Sequence, residues 1–128
     1  MPDIKNGTFY WNELLTDNVP TAVTFYQDVI GWNFTEVPMD HMTYWVANID
    51  GAPVAGVMAM PEGMPKETPP HWMSYIAVDD VDAEVAKSKA AGAVILNEPF
   101  DVPNVGRIAI LKDGGNAVIG WMTPTSNA

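Results

Sequence analysis

The chain has 128 residues, 48% of them hydrophobic, which suits one domain with a substantial core and leaves too little for two independent ones. Sixteen Asp and Glu against five Lys and one Arg give a net charge of −10, so nothing basic is offered to nucleic acid or to an anionic membrane. Zero cysteines exclude disulfides, thiolate nucleophiles and Cys-ligated zinc.

The acidity reads as solubility or a salt-adapted source, with attraction of a cationic ligand as the second reading. Met1-Pro2-Asp3 carries no basic-then-apolar leader, and no apolar run reaches the length of a membrane span. The expectation is a soluble, cytoplasmic protein.

Phe9 to Thr16 reads as the first strand. Asp17 or Asn18 then offers a side-chain oxygen to the free amides of a helix, and Pro20 fits its first turn, where no amide is needed. Val19, Ala22, Val23, Tyr26, Val29 and Ile30 form one stripe at three- and four-residue spacing, and Gly31 ends the helix. Trp32 to Val37 and Thr43 to Ile49 are rich in aromatic and β-branched residues and read as strands, joined by a loop holding Pro38, Asp40 and His41. Asp50-Gly51 signals a two-residue hairpin into a fourth strand, Ala52 to Met60, in which Gly56 marks a bulge or a close backbone approach.

Four prolines between Pro61 and Pro70 interrupt the pattern. Trp72 to Val78 is then a fifth strand, and Asp79-Asp80 caps a helix with an acidic start (Asp82, Glu84) and a basic end (Lys87, Lys89) that Gly92 stops. Ala93 to Asn97 follows as a strand, Pro99 to Val105 as a loop, Gly106 to Leu111 as a strand, and Asp113-Gly114-Gly115-Asn116 as a turn into Ala117 to Met122.

Sliding the first half forward by 61 residues sets Trp11 on Trp72, Ala22 on Ala83 and Gly31 on Gly92. Two copies of one β-α-β-β-β unit are expected, about 7–60 and 70–122, joined by a proline-rich connector 61–69 within a single domain and with Trp11 and Trp72 equivalent.

Phe25-Tyr26, Gly31-Trp32, Val78-Asp79-Asp80-Val81-Asp82-Ala83, Gly106-Arg107 and Asp113-Gly114, set in this tandem pattern, resemble the vicinal oxygen chelate superfamily of glyoxalase I, extradiol dioxygenases and bleomycin resistance proteins. The resemblance implies an α+β fold of tandem modules with cup-shaped mixed sheets, a pocket, a dimer, and in many members a divalent metal held by His on the first and fifth strands and Glu on the eighth. The corresponding positions here are Trp11 or Asn12, Met73, and Ile119 or Gly120. The Met73 thioether suits soft copper rather than the Mg, Mn, Fe, Ni or Zn of the family. No metal or other cofactor is therefore expected. A displaced His71/His41/Glu13 site in a metal-dependent lyase or dioxygenase is the alternative.

The expected ligand-binding residues are Trp11, Glu13, Trp45, Met73, Tyr75, Arg107 and Trp121, with Glu13 the candidate acid. Alternation places Trp11, Glu13 and Leu15 on one strand face, where desolvation would favour a proton-donating or cation-binding carboxyl. A salt bridge or an exposed edge would make Glu13 structural. Arg107, the sole arginine, suits a structural pairing with an acid or a contact to a ligand carboxylate. Trp45, Trp72, Tyr75 and Trp121 either stack on a planar ligand or fill the core. The function expected is metal-independent binding of a small organic molecule by a homodimer, with no nucleic-acid or membrane partner.

Overall fold

A computed structural model describes residues 5–39, 42–60, 67–103 and 105–124. Two compact units make up the chain: Asn12–Trp72, and Met73 onward together with the segment through Trp11. The elements run β1 (Phe9–Thr16), α1 (Val19–Ile30), β2 (Asn33–Pro38), β3 (Thr43–Ile49), β4 (Ala52–Ala59), β5 (His71–Ala77), α2 (Val81–Ala90), β6 (Val94–Val102), β7 (Gly106–Lys112) and β8 (Val118–Pro124). This is the expected α+β class, with two β-α-β-β-β modules. Residues 61–66 of the expected connector, and His41, lie outside the described residues.

In the first module the strands lie in the order β2-β3-β4-β1, with β1 parallel to β4 and the other pairs antiparallel. The second repeats this as β6-β7-β8-β5, with β5 parallel to β8. Asn18 caps α1, its side chain accepting from the Thr21 amide at 3.1 Å. Gly31 closes the helix at φ 76°, a left-handed conformation that costs a residue without a Cβ little. Asp50 and Gly51 both have positive φ (50° and 82°), as a tight hairpin turn requires.

Two expectations need correction. Pro99 does not end β6, which continues to Val102 through register shifts between Ile95 and Asn97 and between Asn97 and Phe100. As the edge strand beyond β7, β6 tolerates a residue with no amide at such an irregularity. The second correction concerns the repeat. Glu13 pairs with Gly56 and Tyr75 with Gly120, so the first strands correspond at an offset of 62, and so do the caps Asn18 and Asp80. Trp11 therefore matches Met73, both buried, while Trp72 matches Tyr10, at 41% and 38% exposure. The identities at 61 reflect a shorter second helix, ten residues against twelve.

The second unit buries Val78, Val81, Val85 and Ala109 together, with Ile95 and Trp121 packed against them. Each such valine contributes roughly 1.5 kcal/mol or more by leaving water. Trp121 Nε1–H donates to Ser88 Oγ (2.9 Å), and the Ser88 hydroxyl donates to the Glu84 carbonyl (2.7 Å), so the buried polar atoms of this contact are paired. On the opposite sheet face, the Tyr75 ring lies over Gly120, where a Cβ would overlap it. The Arg107 guanidinium reaches Asp82 in the first turn of α2 (2.9 and 3.2 Å) and Asp101 on β6 (3.2 Å).

Two outcomes follow. Gly120→Ala is expected to lower the unfolding free energy by about 1–3 kcal/mol in urea titrations, through overpacking against Tyr75. Gly114→Ala, in open space without a positive φ, should leave it unchanged within experimental error. The hydrogen bonds from Arg107 hold the Asp82 carboxyl below the usual carboxylate range. A depressed folded-state value stabilises the protein above the unfolded value, about pH 4, and that stabilisation is lost as pH falls through the folded value. The stability advantage of the native chain over Asp82→Asn should thus be present at neutral pH and disappear in acid, as read from urea midpoints at each pH.

Candidate functional site

β1 becomes buried toward its end, and the residue that opens the continuously buried stretch is a carboxylate: Glu13 has 0% exposure. Its neighbours in register explain how it is accommodated. Glu13 pairs with Gly56 on β4, and Gly56 pairs with Val46 on β3, so the three share a sheet face. Tyr44, two residues from Val46, shares that face too and is itself buried. Its hydroxyl donates to Glu13 Oε2 at 2.7 Å, a short, charge-assisted contact if the carboxyl is ionised.

Gly56 is what lets Tyr44 reach. A Cβ at position 56 would overlap the tyrosine hydroxyl and ring. The sequence signal at Gly56 was thus a close approach, and it comes from a side chain rather than from backbone. The bulge on this hairpin lies elsewhere, between Ala47 and Asn48. Leu15, Val46 and Met58, all buried, occupy the same face as this carboxyl and phenol.

The expected residues divide between sheet faces. Trp45 pairs with Val57, which pairs with Leu14, so Trp45 lies on the face opposite Glu13. Trp121 pairs with Ile76 and packs under α2, opposite Tyr75. Arg107 is engaged with Asp82 and Asp101. Strand alternation thus sets Trp45 across the sheet from Glu13 in one unit, and Trp121 across the sheet from Tyr75 in the other. Met73 and Tyr75 remain together on one face of β5, and Trp11 and Glu13 on one face of β1. Tyr44 was not among the expected residues, although a register counted from the Asp50-Gly51 turn places Tyr44 and Gly56 on one face.

The donors expected at a divalent metal do not fit. The indole of Trp11, the thioether of Met73 and the side-chain-free Gly120 occupy the positions the resemblance implies, Asn12 is exposed, and Ile119 has no donor. His71 at the start of β5 donates through Nδ1 to the Pro69 carbonyl at 2.9 Å. Among the described residues, no three His, Asp or Glu side chains converge. None of their helices is long and apolar enough to cross a membrane.

Sequence comparison shows the family, and comparison with solved structures shows the fold. The sequence model of the Glyoxalase/Bleomycin resistance protein/Dioxygenase superfamily matches residues 9–119. The chain is 41% identical over 121 residues to "Putative glyoxylase CFP32" of Mycobacterium tuberculosis, covering 94% of this chain and 45% of that protein. It is 36% identical over 107 residues to the anthracycline biosynthesis protein DnrV of Streptomyces peucetius, covering 84% of this chain and 38% of that one. The chain thus spans less than half the length of these curated relatives. Among solved structures, methylmalonyl-CoA epimerase from Mycobacterium tuberculosis superposes with a TM-score of 0.70 at 17% identity, over 99% of this chain and 94% of that one, a likeness of fold alone. Module order, strand register and the matched model together assign the chain to the Glyoxalase/Bleomycin resistance protein/Dioxygenase superfamily.

Proposed function

We propose that this chain binds a small organic molecule without a metal ion, using the Glu13–Tyr44 pair as the polar anchor of an otherwise apolar site. The observation that carries the reading is the zero exposure of Glu13 beside a buried tyrosine hydroxyl, on the face that also holds Leu15, Val46 and Met58. A buried carboxyl is costly to retain, and a site with apolar walls and one polar point has the form that binds and orients small ligands.

Two chemistries are open to the pair. As a carboxylate it would hold a ligand cation or accept a proton, and as a carboxylic acid it would donate one, with Tyr44 fixing the orientation of the group in either case. The names of the relatives, a glyoxylase and a protein of anthracycline biosynthesis, support small organic molecules as the ligand class. Self-association as a homodimer belongs to the same reading.

The test is a thermal-shift screen of small aromatic and aldehyde compounds, run on chelator-treated protein. A stabilising compound should raise the melting temperature equally before and after chelation, since binding to the folded state alone stabilises it. Glu13→Gln should reduce its affinity tenfold or more, about 1.4 kcal/mol, while leaving the circular dichroism unchanged. Stabilisation that returns only when a divalent metal is restored would instead support a metal-dependent lyase or dioxygenase.

A further inference from the structure

Asn6 is the one asparagine of the chain that precedes a glycine, and it lies in the exposed turn that leads into β1. Such a pair has a chemistry of its own. The backbone nitrogen of the glycine can attack the asparagine side-chain carbonyl carbon and close a five-membered ring, because a residue without a Cβ leaves the approach open. The surroundings here do not obstruct it either, since a Cβ at Gly7 would meet nothing within 4 Å.

What the fold does is hold the two reacting groups on separate partners. The Gly7 amide donates to the Ala77 carbonyl at 2.7 Å, and the Ala77 amide returns a bond of 2.7 Å to the Thr8 carbonyl. The Asn6 Oδ1 accepts from the Asp79 amide at 3.0 Å, and the Thr8 amide closes the turn on the Lys5 carbonyl at 3.1 Å. These residues belong to one compact unit. Ring closure requires the Gly7 nitrogen to leave Ala77 and the Asn6 side chain to leave Asp79. A solvent-exposed turn held by so few bonds opens at lower free energy than the buried strands beside it.

We propose that Asn6-Gly7 is a site of spontaneous deamidation, gated by the pairing of this turn with the end of β5 and the residues before α2. In the opened turn a bond forms between Gly7 N and Asn6 Cγ, the Cγ–Nδ2 bond breaks, and ammonia leaves with the proton from Gly7. Water then opens the succinimide. Attack at Cγ yields aspartate, and attack at the main-chain carbonyl carbon yields isoaspartate, in which the backbone runs through the former side chain. Either product adds one negative charge to a chain already at −10. The aspartate keeps an acceptor for the Asp79 amide. The isoaspartate places an extra backbone atom inside the turn that Thr8 closes on Lys5, and that contact is lost. Because cyclisation is far slower than reclosing of the turn, its rate follows the open population.

The test is peptide mass mapping of the native chain after incubation in mildly alkaline buffer, with and without denaturing urea, with ion exchange reading the added charge. Asn6 should convert ahead of every other asparagine in urea, and at least about tenfold more slowly but measurably without it. Asn6→Gln, which keeps an amide but cannot close the five-membered ring, should abolish the charge shift. Conversion in urea that starts at another asparagine would overturn the site. Equal rates in both conditions would overturn the gate, and a native chain whose Asn6 stays wholly intact would overturn the claim that opening of the turn exposes it to this reaction.

Discussion

Placing a carboxyl where water cannot reach it is the demand that shapes the first module. Glu13 lies in the middle of a parallel strand with apolar neighbours, and its charge or its proton must be met from within the protein. Tyr44 meets it from two strands away, and it can do so only because β4 has a glycine between them. Strand register, residue size at position 56 and the hydrogen bond are thus one arrangement. Changing any of the three leaves a buried polar atom without its observed partner, which costs more than the bond itself contributes.

The second module gives a comparison within the same molecule. Tyr75 stands where Glu13 stands, opposite Gly120 where the first module has Gly56. In both modules the glycine makes room for a tyrosine ring, but in the second the ring comes from the first strand itself and no carboxyl occupies that position. The sheet geometry is therefore kept while the chemistry differs between modules. This is why the fold, shared with a methylmalonyl-CoA epimerase at 17% identity, says little about which reaction or ligand the protein serves.

Much of the fold could be read from the sequence because its signals are local. Asn18 with Pro20, Asp80, Gly31 and Asp50-Gly51 each mark a boundary through the hydrogen bonds or φ values they favour, and the strands between them follow from β-branched and aromatic residues. The failures arose where a long-range pairing decides. Pro99 looks like a strand end unless β6 is known to be an edge, and the 61-residue repeat misplaces the first strands by one residue because the helices differ in length. For the candidate site, alternation within single strands places Trp11 with Glu13 on one face of β1 and Met73 with Tyr75 on one face of β5. The sheet face taken by Trp45 and Trp121 was not legible, since their side depends on pairing with β4 and β5. Nor does an apolar stripe on α1 reveal that Val29 and Ile30 stay exposed, since the stripe specifies a preference for burial and not the partner that provides it.

The central claim is that the Glu13–Tyr44 pair acts on a ligand and does more than hold β1 to β3. A double-mutant cycle with Glu13→Gln, Tyr44→Phe and the combined variant separates the two roles when unfolding free energy and affinity for a stabilising compound are measured on the same four proteins. The account predicts a coupling in ligand affinity as well as in stability, with the single variants each weakening binding and the combined variant losing less than their sum. Coupling confined to stability, with affinity the same in all four proteins, would contradict it and leave the pair as a purely structural contact.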